Sequence, residues 1–505
     1  MIRPTSRQPD PPSADRDDGV VAVWFSLLLF VLVGLAALVV DVGTWYLRAQ
    51  QLQGAADAAS LAAVVHWANQ TEAQAVAEQS LRTNGIDTTT VTFTGERPEG
   101  HRYRVTLQDP AVPAYFGKLF GKTAITLKRT ALAEFVAPVQ MGSPYNYLGW
   151  SNNTVELVAA NGVAAPATQP NFWLAINGYC MAKEYGDRHS AGFDGNGSTC
   201  SSAEPNGEYR PQGYTFAVKV PVNAGTTTIA IYDPGFCTTG GIDLEARAGQ
   251  DVPLTVTVYN PDTAGTPTKI VDDEVHSQRA FTHCEAAEQG HWVNLAGLAS
   301  SGTYLLSVKT DNGAESFGVN AFALRATTPG YGEKLCQAPA ADCSHVFALT
   351  DIPMLNTISA MATTSRGVAA NFGLARIDAS YAGKQIVVEM WDPGDGMETI
   401  EVLDDHGHPQ PFTLYVDRLK ASSAALAALD VSACGHAYLQ PNRTGTCMYN
   451  DKLVGLLIDI PTSYNPDAAA GWWQVRYKAG TDVTLTDRTT WSVRVVGGSV
   501  HLVPT

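Results

Sequence analysis

Charged residues are few in this chain, and basic residues are the scarcer kind. Only 16% of the 505 residues are charged, and 33 lysines and arginines face 49 aspartates and glutamates, for a formal net charge of −16 at pH 7. Nucleic acids attract proteins through clustered basic residues. The charge balance therefore argues against nucleic acid as a partner.

Local catalytic motifs are also missing from the sequence. The chain contains no Gly-x-Ser-x-Gly motif, no His-Glu-x-x-His motif and no phosphate-binding loop. We therefore expect no enzymatic activity and no bound cofactor, although the residues of a catalytic triad can also lie far apart in a sequence.

One long apolar run is present, from Val20 to Val40, and it carries no charge. As an α-helix the run spans about 31 Å, which matches the hydrocarbon core of a bilayer. A cleaved secretory signal has a shorter apolar region and a small-residue cleavage site, whereas this run is followed by Asp41, Trp45 and Tyr46. The run predicts an uncleaved transmembrane helix at residues 20–40.

The distribution of arginines predicts the orientation of this helix. Arg3, Arg7 and Arg16 precede the run, whereas Arg48 is the only basic residue between positions 41 and 80. Positive charge favours the cytoplasmic side. We expect a single-pass protein of the cell membrane, with residues 1–19 in the cytoplasm and the bulk of the chain outside it.

The cysteines agree with an oxidising compartment. All eight follow the apolar run, at Cys180, Cys200, Cys237, Cys284, Cys336, Cys343, Cys434 and Cys447. An even count in an exported region indicates disulfides, and chain order suggests that neighbours pair. Zinc is the alternative, but the close double spacing of zinc ribbons and fingers does not occur.

The segment after the run favours a continued helix. Residues 41–69 contain no proline and are rich in alanine, leucine and glutamine. Asp41 and Asp57 would lie roughly 24 Å apart on such a helix, so they cannot share a substrate. The small side chains between Ala55 and Ala63 suit close helix packing, either on the chain's own domain or on a partner.

The same segment carries a family resemblance. The apolar run, the Asp41-Val-Gly43 exit and the alanine-rich stretch around Asp57 resemble the N-terminal domain of TadG-like proteins of Flp (Tad) pilus assembly. The residues that carry the resemblance are Asp41, Gly43, Tyr46, Arg48, Ala56, Asp57 and Leu61. It continues through Ala114–Gly121 and covers residues 15–135. It implies pilus-assembly or other envelope proteins as partners, through the alanine-rich helix.

Two features depart from relatives of this kind. Prepilin-type substrates are cut after a glycine that usually has a glutamate five residues later, but Gly19 is followed at that distance by Trp24. The Asp-x-Ser-x-Ser string of a von Willebrand A-like metal site is not found. We therefore expect a permanent anchor and no von Willebrand A-like domain.

Residues 41–137 are expected to form a small extracytoplasmic α+β domain. Alternating apolar residues predict strands at Val91–Thr94, Tyr103–Leu107 and Ile125–Leu132. A short helical piece, Ala114–Phe120, would connect the last two strands.

The remaining chain contains an internal repeat. The stretch from Gly225 to Asp233-Pro-Gly parallels the stretch from Gly383 to Asp392-Pro-Gly, and two later blocks repeat at a similar offset. Short alternating strands separated by Asp-Pro-Gly and Asn-Gly turns are typical of β-sandwiches. We predict two tandem β-sandwiches that resemble jelly rolls, at residues 140–330 and 345–505.

Loop carboxylates in these repeats suggest calcium as the one candidate ion. Ca²⁺ takes six to eight oxygen ligands, and the candidates are Asp392 with Asp395 and Asp194 with Asn196. The alternative is turn chemistry, in which Pro and Gly supply the required backbone angles.

Aromatic residues suggest surface glycans as further partners. The candidates are Trp150, Trp173, Trp292, Trp391, Trp472, Trp473 and Trp491. The alternative is that these rings pack in the core or against neighbouring strands.

Together these patterns predict a membrane-anchored extracytoplasmic structural or assembly component, whose tandem β-sandwiches serve protein interaction or adhesion. The alternatives are a membrane-tethered cell-surface hydrolase and a carbohydrate-binding protein.

The predicted orientation can be tested with reporters fused after Thr505. We expect alkaline phosphatase, which needs an oxidising compartment, to be active there, and a reporter that works only in the cytoplasm to be inactive. The reverse pair of activities would reverse the orientation.

Overall fold

The computed structural model describes most of the chain. The described residues are 18–66, 70–98, 102–135, 139–149, 171–191, 206–237, 243–245, 251–261, 275–310, 316–337, 340, 342–349, 358–364, 369–394, 397–434, 447–466, 471–479, 485–496 and 500–503. They form two compact units, one of Met1–Phe135 with Val500–Thr505 and one of Val136–Ser499.

The helices are α1 Asp18–Val64 and α2 Gln70–Thr83. The strands of the first half are β1 Thr92–Glu96, β2 Arg102–Pro113, β3 Ala124–Phe135, β4 Gln140–Met141, β5 Tyr147–Leu148, β6 Asn171–Asn177, β7 Tyr214–Val220, β8 Thr227–Tyr232, β9 Leu244–Glu245, β10 Leu254–Tyr259, β11 Val275–Phe281, β12 Trp292–Leu298, β13 Gly302–Thr310 and β14 Gly318–Thr327. The remaining strands are β15 His345–Leu349, β16 Ile358–Thr364, β17 Ala369–Arg376, β18 Gln385–Trp391, β19 Met397–Leu403, β20 Thr413–Val416, β21 Leu419–Lys420, β22 Leu429–Asp430, β23 Leu453–Asp459, β24 Trp472–Ala479, β25 Leu485–Val495 and β26 Val500–Val503.

Helix α1 confirms the predicted continuation of the apolar run. It has 47 residues without a break, and its Val20–Val64 portion is long and apolar enough to cross a membrane. An 18-residue stretch of this portion has a mean hydropathy of 2.8 and is 0% buried. These properties fit a membrane-anchored protein.

The first unit folds its α+β domain along the second half of α1. Among the described residues, the sheet order is β1-β2-β3-β26, with antiparallel pairs throughout. Alternate residues of β2 (Tyr103, Val105 and Leu107) are buried, as expected for a strand with one face on helices. The predicted strands are present, and the predicted helical piece is a 3-10 helix at Gly117–Phe120.

Strand β26 was not predicted in this unit. The sequence assigns it to the second repeat, but Val500 pairs with Phe135 and Val503 with Leu132. The second unit is therefore inserted in sequence between two neighbouring strands, β3 and β26.

The second unit confirms the mainly β architecture. Corresponding strands pair in the same way in both repeats. In the first repeat β8 pairs with β14, β13 with β7 and β12 with β8. In the second repeat the matching pairs are β18 with β25, β24 with β17 and β23 with β18. Phe216 of β7 meets Phe322 of β14 at 6.2 Å between ring centroids, so that two sheets face each other across a core.

The structure adds that both sheets run through the two repeats. Strand β6 pairs directly with β16, while β15 and β4 lie between β7 and β17. In the described part of the chain, ten strands form one sheet and twelve the other. One core cluster accordingly includes residues of both repeats, such as Phe322 of β14 and Trp491 of β25.

A connector from the first repeat crosses onto the second. The backbone N–H of Arg188 donates to Thr490 Oγ1 at 3.0 Å, and Thr490 Oγ1 donates to the carbonyl oxygen of Gly186 at 2.7 Å. Trp391 Nε1 donates to the carbonyl oxygen of Lys183 at 2.7 Å. Strands and connector together join the repeats.

Disulfide bonding is confirmed in this unit. Among the described cysteines, Cys237 is bonded to Cys284, Cys336 to Cys343 and Cys434 to Cys447, as chain order suggests. Cys180 is also disulfide-bonded, and Cys200 lies outside the described residues.

A buried histidine on β15 makes the stability of this unit sensitive to acid. Desolvation, aided by the positive charges of Arg376 and Lys219, lowers the pKa of His345 to about 4. The unfolded chain binds a proton near pH 6.5, so the free energy of unfolding falls as the pH drops from about 6.5 to about 4.

His345→Gln should flatten that dependence by about 1.4 kcal/mol per pH unit within this window, as measured by denaturant unfolding. Equal slopes for wild type and His345→Gln would contradict the assignment.

Candidate membrane-proximal site

Asp41 is a buried carboxylate at the end of the apolar run. It is only 3% exposed, although Val40 and Val42 beside it are 48% and 49% exposed. A buried charge is tolerated when hydrogen bonds compensate for its lost hydration. Asp41 Oδ1 accepts the N–H of Tyr115 at 2.8 Å, and Oδ2 accepts that of Gly117 at 2.7 Å.

The third donor is Phe116, whose N–H lies 3.0 Å from Asp41 Oδ2. These three amides open the 3-10 helix Gly117–Phe120, where no intrahelical acceptor is available to them. At Gly117 a Cβ atom would lie 2.9 Å from the Ala114 Cβ, so the close approach requires glycine. One carboxylate therefore binds the loop between β2 and β3 to α1.

Two further contacts attach β2 to the same helix. Trp45 Nε1 donates to the carbonyl oxygen of Pro113 at 3.0 Å. Arg48 Nη2 and Nε lie 2.7 Å and 2.8 Å from Asp109 Oδ2, and Asp109 is 8% exposed. Charge-assisted hydrogen bonds are the stronger kind, so Arg48 and Asp109 set the position of β2 along α1.

The alanine-rich part of α1 packs on its own domain. Ala55, Ala56, Ala59 and Ala63 are at most 2% exposed, whereas Ala58, Leu61 and Ala62 are half-buried. Gln53 Nε2 donates to Asp57 Oδ1 at 2.8 Å and to the carbonyl oxygen of Thr130 at 3.3 Å. The structure thus favours internal packing for the four buried alanines.

The two remaining motif residues make no comparable contact. Tyr46 is 63% exposed, and a Cβ added at Gly43 would have no atom within 4 Å. Both lie on the free surface of α1 next to the predicted bilayer.

The calcium candidate Asp392 stabilises a turn, and Asp233 does the same at the corresponding position of the first repeat. Both have positive φ, 55° and 49°, and both are buried. Asp392 Oδ1 accepts the N–H of Asp451 at 3.0 Å, and Asp233 Oδ1 accepts that of Gly290 at 3.1 Å. The shared geometry favours turn chemistry. Asp395, Asp194 and Asn196 lie outside the described residues, and calcium there stays a prediction.

A second acidic group also belongs to a turn. Ligand-capable atoms of Asp404, Asp405 and His406 lie within 4.8 Å of one another. Asp404 Oδ1, however, accepts the N–H groups of His406 at 2.9 Å and His408 at 2.8 Å. These bonds close the turn between β19 and β20.

The tryptophans are mainly core residues. Trp391, Trp472, Trp473 and Trp491 are at most 6% exposed. Trp150 and the side chain of Trp173 lie outside the described part of the chain.

Trp292 borders a cavity of about 420 Å³ together with Arg279, Phe281 and Glu288. Arg325 lies 4.4 Å from the centroid of the Trp292 ring, and Arg279 lies 4.9 Å from that of Phe281. A guanidinium covers one face of each ring. Phe281 is also only 2% exposed, and Trp292 packs against Tyr232 at 5.3 Å between ring centroids. The cavity therefore does not favour the carbohydrate alternative.

A buried polar cluster in the connector escaped sequence analysis. Asp187 accepts the N–H groups of Asn177 at 2.9 Å and His189 at 3.1 Å, and it accepts a hydrogen bond from the Tyr214 hydroxyl. Burial raises the pKa of Asp187 and lowers that of His189 to about 3. The His189 ring bonds Glu208 O at 2.9 Å through Nδ1, so Asp187 and the ring do not form an acid–base pair. The consecutive Asp187-Arg-His189 was the only local signal.

Comparison with known proteins bears on the N-terminal region. Residues 19–75 match the family model of Flp pilus-assembly TadE/G-like proteins, which confirms the resemblance around Asp41 and Asp57. No curated protein matches the chain.

Several solved structures match the chain, and we report one of them. It is the N-terminal CBM22-1-CBM22-2 tandem domain of Xyn10C from Paenibacillus barcinonensis, with 10% identity, coverage of 66% of this chain and 100% of that chain, and a TM-score of 0.14. A likeness of that size carries no argument about fold or ligand.

The role of Asp41 can be measured by hydrogen exchange of the full chain in lipid vesicles. Asp41→Asn replaces one acceptor oxygen with a donor, and each hydrogen bond to a charged group contributes about 1.5–3 kcal/mol. We expect the amides of residues 115–117 to exchange about tenfold faster or more. Asp57→Asn is the control and should leave these amides unchanged, and unchanged exchange in Asp41→Asn would contradict the assignment.

Proposed function

We propose that this chain is a membrane-anchored, extracytoplasmic component of Flp pilus assembly in a bacterial envelope. The match of residues 19–75 to the pilus-assembly family carries the proposal. Its mechanism is structural and requires no catalysis: α1 anchors the protein, and the β-rich unit presents surfaces for protein interaction or adhesion.

The contacts of α1 support an anchor that is continuous with the outer domain. No break separates the apolar run from the helical segment beside β2 and β3. Asp41 binds the β2–β3 loop and Arg48 binds β2, at two heights along this helix. Force applied to the first unit is therefore transmitted to the membrane span through hydrogen-bonded structure instead of a loose linker.

Burial of the alanines argues that partner proteins contact a different part of α1 from the alanine-rich segment. Since Ala55, Ala56, Ala59 and Ala63 are covered by the chain's own domain, they are not available to another protein in this fold. Every residue of α1 from Val20 to Val40 except the half-buried Ala37 is exposed. Other envelope proteins would meet α1 there, within the bilayer.

The β-rich unit supports a durable surface. Its disulfides and its continuous sheets resist local opening, because strands in the middle of a sheet are paired on both sides. Such a unit suits the oxidising outside of the cell, which agrees with the predicted orientation.

Deletion and complementation of the gene in its own host test the proposal. Deletion should reduce the number of Flp pili counted by electron microscopy, and the wild-type gene should restore them. A version in which residues 1–40 are replaced by a cleavable export signal should be exported but should not restore pili, since it lacks the anchor. Normal piliation in the deletion strain would overturn the proposal.

A further inference from the structure

The loop between β2 and β3, residues 114–123, is attached where the apolar run ends. Asp41 directly follows Val40, and its carboxylate oxygens lie 2.7–2.8 Å from the amide nitrogens of Tyr115 and Gly117. When residues 20–40 fill the hydrocarbon core of about 30 Å, Asp41 lies at its boundary. The loop then lies at the same depth, where lipid headgroups begin.

The strands leave this loop in the direction away from the span. Asp109 contacts Arg48, and the carbonyl oxygen of Thr130 contacts Gln53. Gln53 lies about 18 Å beyond Asp41 along the helix axis. The loop is therefore the end of the sheet that is closest to the membrane.

The exposed residues of the loop are of the types that concentrate at the membrane–water interface. Tyr115 is 58% exposed and Phe116 38%, and amphipathic aromatic rings concentrate at membrane interfaces. Lys118 and Lys122 are exposed as well, and no ion pair within the described residues involves either of them. The carboxylates of Asp41 and Asp109 are already engaged, Asp41 by three amides and Asp109 by Arg48.

We propose that residues 114–123 form a second membrane contact, in which Tyr115 and Phe116 insert among the headgroups and Lys118 and Lys122 bind anionic lipid phosphates. The occupant of this surface is the leaflet on the side of the folded domain. The inference rests on the anchoring proposed above. Such a contact sets the depth and rotation of α1, because the domain then touches the bilayer at a second point beside the helix.

Photo-crosslinking of the full chain in lipid vesicles tests the contact. p-Benzoylphenylalanine is placed at Tyr115, at Phe30 in the span and at Leu502 on β26. Phe30 is 80% exposed and Leu502 43%, and Leu502 pairs with Ala133 near the far end of β3. Lipid adducts counted by mass spectrometry should be abundant at Phe30 and several times more frequent at Tyr115 than at Leu502.

The two proposals fail differently in this experiment. Adducts at Phe30 with no excess at Tyr115 over Leu502 would overturn the loop contact and leave the anchor intact. Absence of adducts at Phe30 would overturn the anchor and the loop contact with it.

Lipid charge tests the role of the lysines. Vesicles that contain phosphatidylglycerol should give more Tyr115 adducts than vesicles of phosphatidylcholine alone, because the phosphates attract Lys118 and Lys122. Lys118→Gln combined with Lys122→Gln should abolish this gain.

Arg102→Gln combined with Arg104→Gln is the matched control, since it removes the same charge at the opposite end of β2. This control should keep the gain from phosphatidylglycerol. A full gain in the lysine variant would overturn phosphate binding by the loop.

Discussion

The arrangement of the first unit depends on the carboxylate of Asp41, which accepts hydrogen bonds from three backbone amides. Removing a carboxylate from water into a protein interior costs roughly several kcal/mol, unless hydrogen-bond donors of the protein take the place of the lost water molecules. The amides of residues 115–117 supply these donors. These hydrogen bonds also fix the position of β2 and β3 along α1. The contacts of Trp45 and Arg48 stabilise the same position. The fold of the domain and its distance from the membrane therefore depend on the same interaction.

Much of the architecture was predictable because its signals are local. The uncharged run specifies a helix of membrane length, alternation specifies β1 to β3, and the recurring Asp-Pro-Gly turns reveal the repeat. The pairings of β6 with β16 and of β3 with β26 were not predictable, since strands far apart in the chain carry no mark of their partner. At the site, Asp41 and the stretch Ala114–Gly121 both carry the family resemblance, but the hydrogen bond from Gly117 to Asp41 joins residues that are 76 positions apart.

The side chains that suggested ligands are largely explained by packing. Asp233 and Asp392 use their carboxylates to bind amides of an adjacent turn, once in each repeat. Trp473 and Trp491 fill the space between the sheets, where their large apolar surfaces stabilise the core. The sequence alone could not separate these structural roles from ligand binding, because calcium sites and sugar sites also use aspartate and tryptophan. Burial is what distinguishes them.

The insertion of the β-rich unit between β3 and β26 gives it two connections to the anchoring domain, of which only the one at Phe135 is covalently continuous with α1. They begin at Phe135 and Val500, which are paired neighbours in one sheet. A proteolytic cut in the linker before Val500 leaves the unit covalently joined to α1 through Phe135, whereas a cut after Phe135 leaves it attached only by the pairing of β26 with β3. Retention of the unit after cleavage of the first linker would therefore depend on the hydrogen bonds between one short strand and its neighbour.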